Sequence, residues 1–237
     1  MSPSNPRYPD LFAAHLDRLI QRIRRDNQNT LHTLGPMIGK SIAEGGVIHT
    51  FGSGHSEILA REFVGRAGAL VGVSPVLDPT GGMVENLVGY GTRLARRHDL
   101  LHGMVAGECI VVISNSGKNC APIEVALFAR EKGLIVIALT AMKMAREATS
   151  EHPDGLRLHE VADHVLDNGG ENGDACVPLG SQPIKAGPTS TIGGAILLNL
   201  LQLEVLQTLT EQGVDLPVVQ SQNTPGGLEH NLSLIHI

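Results

Sequence analysis

The sequence predicts an α/β fold built on a doubly wound parallel sheet of about five strands. Compact β-branched runs recur along the chain, and helical patterns separate them. The runs are apolar throughout, which is typical of strands that are buried on both faces. A chain of 237 residues with 42% hydrophobic content is also long enough to bury the core of one large domain.

The first element is a helical pattern that extends from Leu11 to the glycines Gly45 and Gly46. Apolar residues recur there at three- and four-residue steps, as on one face of a helix. Gly35 and Pro36 lie inside the pattern and predict a break into two helices, because proline removes a backbone donor and clashes with the preceding turn.

Strands and helices then alternate. The predicted strands are VIHTF (47–51), a weaker LVGVSPVL (70–77), CIVVI (109–113), LIVIAL (134–139) and HVLD (164–167). The predicted helices cover residues 56–67, 84–97, 122–132 and 191–209. Residues 167–190 are predicted to be irregular, and long loops in compact domains are often functional or mobile.

This pattern predicts three parts. Residues 1–46 form a helical segment that packs on the domain, residues 47–212 form the main domain, and residues 213–237 form a tail that folds near the site.

Composition excludes several classes of partner. The 24 acidic and 18 basic residues give a formal charge of -6, so nucleic acid is not expected as a partner. An apolar signal-peptide core and an apolar run of about 20 residues are not evident, so we expect a cytoplasmic protein that does not enter a membrane. The spacing of Cys109, Cys120 and Cys176 fits neither a disulfide framework nor a metal clip.

The first strand is followed by GSGHSE, which leads directly into a helix. Gly52 and Gly54 allow the backbone to approach a ligand, while Ser53 and Ser56 supply hydroxyls at the positive end of the helix. An ordinary glycine turn with an N-cap serine explains the same residues. The motif is not a dinucleotide fingerprint, because the third glycine would fall at Glu57, and it is not a P-loop.

A second loop of this type, SNSGKN, follows the strand 109–113. Ser114, Ser116 and Asn119 can donate to phosphate oxygens, and Gly117 exposes backbone N–H groups at a helix start. Lys118 adds a point charge.

Two further residues belong to the same predicted site. Asn115 lies inside the second loop, and Thr140 ends the next strand with another hydroxyl. Because the carboxyl ends of parallel strands meet at one edge of the sheet, these loops together predict a site for an anion.

The segments FGSGHSEILAREFVGRAG and GECIVVISNSGKNCAPIEVALFAREKGLIVIALT resemble the sugar isomerase (SIS) domain family of phosphosugar-binding proteins, over about residues 47–140. The tail QSQNTPGGLEHNLSLI resembles the ending of a phosphoheptose-isomerase-like subgroup. The resemblance implies a flavodoxin-like sheet, a phosphorylated sugar as ligand, and a homo-oligomer, dimer or tetramer, with sites near subunit interfaces. It places Ser114, Ser116 and Asn119 at the phosphate, and Ser53 and Ser56 beside the sugar.

Aldose–ketose isomerisation needs a base that removes the proton next to the carbonyl. The resemblance assigns this role to Glu62, because EFVGR matches an ELVGR-like segment of phosphoheptose isomerases, although this chain is four residues shorter before it. His55 lies seven residues earlier, on the same stripe of a helix. The alternative is a solvated Glu62 that pairs with Arg66 at i+4.

A second acid or base is harder to assign. The phosphoheptose pattern has a histidine on the last long helix, whereas residues 191–209 contain none. His55 or His230 would replace it, the latter if the tail folds back over the site rather than fraying.

Other motifs of titratable residues are weaker indications of a function. His98 and His102 have the i,i+4 spacing of a zincin helix, but Asp99 stands where the glutamate would be, so we expect neither a metal nor an organic cofactor. Glu85 and Glu124 fall near helix starts, where the helix dipole favours a carboxylate.

The sequence therefore predicts binding of a phosphorylated sugar and its isomerisation. A sugar-phosphate sensor without catalysis, and a phosphosugar lyase or etherase that uses the same proton abstraction, remain alternatives.

Overall fold

A computed structural model describes residues 6–234. Its helices are α1 (Tyr8–Ala43), α2 (Ser56–Glu62), α3 (Tyr90–His102), α4 (Cys120–Glu131), α5 (Met142–Glu147), α6 (Leu158–Val161), α7 (Ser190–Glu211) and α8 (Gly227–Ser233). Its strands are β1 (Ile48–Gly52), β2 (Val73–Val76), β3 (Cys109–Ile113), β4 (Ile135–Thr140), β5 (His164–Asp167), β6 (Val177–Pro178) and β7 (Lys185–Ala186).

Strands β1 to β5 form one parallel sheet in the order β2-β1-β3-β4-β5. The predicted doubly wound sheet of about five strands, with its flavodoxin-like order, is confirmed. The direction of winding reverses between β1 and β3, and ligands of such sheets bind at the carboxyl ends of the strands beside that point. The loops after β1 and β3 are the two loops that the sequence predicted as a site.

Two hydrophobic cores lie on opposite faces of the sheet. Ile48 and Val111 pack on the face that carries α1, α2 and α7. Phe51 and Val112 pack on the other face, with α3 and α4. Burial on both faces explains why the strands are apolar throughout.

Helix α1 is a single helix of 36 residues, so the predicted break at Gly35 and Pro36 is wrong. The packing of α1 against α7 explains the difference. A Cβ at Gly35 would lie 2.9 Å from the Cβ of Glu204, and one at Gly39 would lie 2.8 Å from Cγ2 of Thr208. The two glycines let the helices approach closely, and this contact offsets the cost of about 3 kcal/mol for a proline inside a helix.

Two predicted helices have different bounds. Helix α2 ends at Glu62, and α3 begins at Tyr90, six residues later than predicted. The carboxylate of Glu124, on α4, accepts hydrogen bonds from the N–H groups of Gly89 (2.5 Å) and Gly91 (2.8 Å). A side chain from another helix therefore fixes where α3 starts.

The segment 167–190 is more ordered than predicted. It contains the antiparallel pair β6–β7 and a short 3-10 turn, Asn172–Asp174. Asp174 accepts hydrogen bonds from the N–H groups of Thr189 (3.1 Å) and Ser190 (2.8 Å) and so caps the start of α7.

Helix α7 is long and apolar enough, by length and composition, to cross a membrane, contrary to the expectation that the chain has no such segment. Its side chains Leu197, Leu201 and Val205 are fully buried in the core beneath α1 and α2. The apolar composition of α7 is therefore that of a core helix.

Candidate functional site

The loops after β1 and β3 lie next to each other at the carboxyl edge of the sheet. Gly52, which ends β1, pairs with Ile113, which ends β3. Ser53 and Ser114 follow these two positions and are 7% and 5% exposed, whereas Ser116 is half-buried. The two predicted loops therefore form one polar edge.

The chain between β2 and α3 crosses this edge and connects the two loops. The carboxylate of Glu85 accepts hydrogen bonds from the hydroxyl of Ser53 and from Nδ2 of Asn119, the latter at 2.7 Å. The carbonyl of Glu85 also accepts the N–H of Ala121 (2.8 Å), and Oδ1 of Asn86 accepts the N–H of Cys120 (3.1 Å). Side chain and backbone of this segment thus occupy the start of α4.

The same segment touches the first loop directly. Gly82 has a φ of +88°, and a Cβ there would lie only 2.7 Å from the backbone nitrogen of Gly54. Asp78 holds the turn by accepting hydrogen bonds from the N–H of Gly82 (2.9 Å) and the hydroxyls of Thr80 (2.7 Å) and Tyr90 (2.6 Å). Burial raises the pKa of Asp78, but these hydrogen bonds outweigh burial, so the pKa lies below its usual value.

The second loop is held in a tight turn. The hydroxyl of Ser114 accepts the N–H of Gly117 at 3.2 Å, and Gly117 has a φ of +62°. Thr140 is fully buried, and its hydroxyl donates to the carbonyl of Asn115 (3.1 Å). Within residues 6–234, no protein group bonds the hydroxyl of Ser116. Ser114 and Thr140 therefore shape the loop, while Ser116 keeps a hydroxyl for a ligand.

Asn168, directly after β5, joins the site although it was not among the predicted site residues. Its Nδ2 donates to Oδ1 of Asn115 at 3.1 Å, and its Oδ1 accepts the N–H of Gly170 at 2.9 Å. It is 2% exposed and positions the side chain of Asn115. Its place just after a strand, at the same edge as Thr140, was the available signal.

Glu62 and His55 lie outside this contact network. Glu62 forms an ion pair with Arg66, the alternative that the i+4 spacing left open, and lines an apolar groove between α2 and α7 with Ile58 and Leu203. His55 precedes α2 and is exposed. Within one chain, the structure brings neither side chain onto the second loop.

His230 lies at the opposite end of the sheet. Its Nε2 is 2.9 Å from the carbonyl of Val218, which forms an antiparallel bridge with Leu70. Leu70 precedes β2, so this part of the tail packs at the amino end of the strands. Through residue 234 the tail does not fold over the loops of its own chain, and His230 would reach a site only in another copy.

Two charged motifs also have partners inside the fold. Nζ of Lys118 pairs with Glu151 at 2.9 Å, so the charge of this loop residue is matched within the fold. Nε2 of His98, one of the two histidines at i,i+4 spacing, is 2.9 Å from Nδ1 of His49 in the core. Over residues 6–234, no cluster of three side chains suits a metal ion.

Comparison with known protein families and relatives gives a consistent result. The family model described as SIS domain matches residues 11–141. UPF0309 protein TTE0306 of Caldanaerobacter subterraneus subsp. tengcongensis is 34% identical over 235 residues, 95% of each chain. UPF0309 protein lin2794 of Listeria innocua serovar 6a is 35% identical over 225 residues, 92% of this chain and 90% of that protein.

Solved structures share the fold. NanR of Vibrio vulnificus, complexed with ManNAc-6P, has a TM-score of 0.53 at 16% identity, with 88% of this chain and 64% of that chain covered. A phosphoheptose isomerase from Francisella tularensis has a TM-score of 0.53 at 14% identity, with 85% and 100% covered. The chain thus spans less than two thirds of NanR, and at these identities the likeness concerns the fold alone.

Proposed function

Because this chain belongs to the SIS domain family, we propose that it binds a phosphorylated sugar between the loops after β1 and β3 and interconverts its aldose and ketose forms. The observation that carries the proposal is the pair of serine loops beside the point where the winding of the sheet reverses. Two relatives of the same fold, whose names refer to ManNAc-6P and to phosphoheptose isomerisation, support the ligand class.

The phosphate is assigned to the second loop. The hydroxyl of Ser116 and the backbone around Gly117 offer donors, and the turn is held open by Ser114 and Thr140. The resemblance also places Asn119 at the phosphate and the first-loop residues Ser53 and Ser56 beside the sugar, and it implies Glu62 as base with His55 or His230 as its partner.

A homo-oligomer in the cytoplasm, a dimer or a tetramer, completes the proposal. Ile58 on α2 and Leu203 on α7 are apolar and 54% and 57% exposed, so a second copy that covers this face would remove apolar surface from water. It would also enclose Glu62, which lines the same groove. Light scattering of the purified protein gives the number of copies.

The binding proposal is tested with Ser116→Ala. We expect its affinity for hexose 6-phosphates and heptose 7-phosphates to fall by about tenfold or more. The reason is that a hydrogen bond from a hydroxyl to a charged phosphate contributes about 1.5–3 kcal/mol. Calorimetry with phosphorylated and dephosphorylated sugars measures this. Ser233→Ala, which removes an exposed hydroxyl on α8, is the control. An equal effect of Ser116→Ala on both sugar forms would remove Ser116 from the phosphate site.

Incubation of the wild-type protein with the same sugars in deuterated water separates the three reactions. Deuterium uptake with aldose–ketose interconversion supports an isomerase, and uptake with loss of a C3 substituent supports a lyase or etherase. Tight binding without deuterium uptake would make the protein a sensor.

A further inference from the structure

Glu85 occupies the centre of the polar edge. Its carboxylate joins Ser53 of the first loop to Asn119 of the second loop, and the side chain is half-buried. Each carboxylate oxygen can accept more than one hydrogen bond, so these two contacts leave capacity for a ligand. A carboxylate at this position faces both the predicted phosphate loop and the predicted sugar loop.

The two hydrogen bonds between the loops do not by themselves require the charge of Glu85. A neutral glutamine would connect the same two loops, since its amide accepts from Asn119 and donates to the hydroxyl of Ser53, which can reverse its own role. A carboxylate next to a bound phosphate instead adds repulsion between like charges. The negative charge therefore weakens phosphate binding while adding the capacity to accept a proton.

The geometry points to Glu85, rather than the Glu62 that the resemblance implies, as the group that touches the sugar and transfers its proton; this inference rests on the proposed isomerisation. The C–H bond next to the carbonyl breaks, the proton moves to the Glu85 carboxylate, and the electron pair forms the C=C bond of an enediolate, whose negative charge rests on the former carbonyl oxygen. The hydroxyl proton then moves between the two oxygens, and Glu85 returns its proton to the neighbouring carbon. No external oxidant or reductant takes part.

Glu62 is placed differently. It lies in the groove between α2 and α7, paired with Arg66, and would act only on the site of another copy. Ser53, which is 7% exposed, donates to Glu85 and holds the carboxylate toward the loops. Glu85 therefore bonds both loops within a single chain.

Two substitutions at Glu85 separate proton transfer from a structural bridge. Glu85→Gln keeps both hydrogen bonds but cannot accept the proton, whereas Glu85→Asp keeps the charge but is too short to span both loops. Deuterium uptake into hexose 6-phosphates and heptose 7-phosphates should fall in the order wild type, Asp, Gln, with a loss of about 100-fold or more for Gln. Calorimetry should show that the affinity of Glu85→Gln for the sugars stays within a few-fold of wild type.

The opposite order, with Gln close to wild type and Asp impaired, would make Glu85 a structural bridge and leave the proposed function intact. A wild-type protein that binds the sugars but exchanges no proton would instead overturn isomerisation, and the role of Glu85 with it. Glu44→Gln is the matched control, because that exposed carboxylate just after α1 pairs with Lys40, outside both loops, and should leave exchange unchanged. If Glu85→Gln fails to fold, Glu85→Asp serves as the test. Wild-type deuterium exchange in Glu85→Asp would overturn the inference that the carboxylate must contact both loops to transfer the proton.

Discussion

The two ends of the sheet carry polar clusters of similar composition but different character. At the carboxyl end, Glu85 joins loops whose side chains are partly accessible and keep free hydrogen-bonding capacity. At the amino end, Nε2 of His49 bonds Glu108 at 3.0 Å and Nδ1 of His49 bonds His98 at 2.9 Å. His49, Glu108 and His98 are 0%, 7% and 5% exposed.

The comparison separates binding chemistry from structural chemistry. Histidine and glutamate in contact are typical of catalytic sites, but at the amino end these side chains are buried and bond one another. Glu108 also accepts the N–H groups of Val47 (3.0 Å) and Val105 (2.8 Å), so it ties the starts of β1 and β3 together. Accessibility and unused hydrogen-bonding capacity, rather than residue type, distinguish the candidate site.

The largest effect is expected at the amino end, from Glu108→Ala. The substitution leaves the N–H groups of Val47 and Val105 and the Nε2 of His49 without their acceptor. A buried donor without a partner costs about 1–3 kcal/mol, and of these three donors the Nε2 of His49 is fully buried, so we expect the free energy of unfolding to fall by about 2 kcal/mol or more. Urea denaturation followed by circular dichroism measures this.

Glu108→Gln is the matched variant, because its amide oxygen still accepts one of these donors, and it should lose less stability than Glu108→Ala. Both variants should bind phosphorylated sugars with affinity close to wild type while folded. A selective loss of affinity in Glu108→Gln, without loss of stability, would contradict the assignment of this cluster to structure.

A smaller effect, on binding, is expected from Gly82→Ala at the carboxyl end. The new Cβ would lie 2.7 Å from the nitrogen of Gly54 and push the Glu85 segment away from the first loop. We expect the affinity for phosphorylated sugars to fall by about tenfold, or about 1.4 kcal/mol, in calorimetry. Gly81→Ala is the control. Gly81 also has a positive φ (+62°), but a Cβ there would meet no atom within 4 Å, so this variant has only the backbone strain of an alanine at positive φ. Equal affinities of the two variants would show that this contact does not shape the site.

The fold could be predicted from sequence because the strands are local apolar runs. Strands β3 and β5 coincide with the runs CIVVI and HVLD residue for residue. The start of α3 could not be predicted, because it depends on Glu124, a side chain 35 residues from Gly89. The continuous α1 also depends on a distant contact, that of Gly35 with Glu204.

The site could be predicted in part for the same reason. Ser53 and Ser114 follow strong strands, so their position at the sheet edge can be read from the local pattern. Glu85 follows β2, the weakest of the predicted strands, and its favourable place near a helix start was a sufficient local explanation. Its contacts with Ser53 and Asn119 arise only when three loops meet in the folded chain.

The smallest effect concerns the pH dependence of stability at the amino end. Burial, together with the neighbouring His49 and His102, lowers the pKa of His98 from 6.5 to about 4, although Asp99 acts in the opposite direction. Below pH 6.5 the unfolded chain therefore binds a proton that folded His98 does not, and stability falls as the pH decreases from 6.5 toward 4. We expect this residue to cost about 1 kcal/mol of unfolding free energy between pH 6.5 and pH 5.5, measured by urea denaturation at each pH. His98→Gln should be less stable at pH 7, but its unfolding free energy should decrease less than that of wild type as the pH is lowered. If the unfolding free energy of both proteins depends on pH in the same way, His98 is protonated in the folded protein.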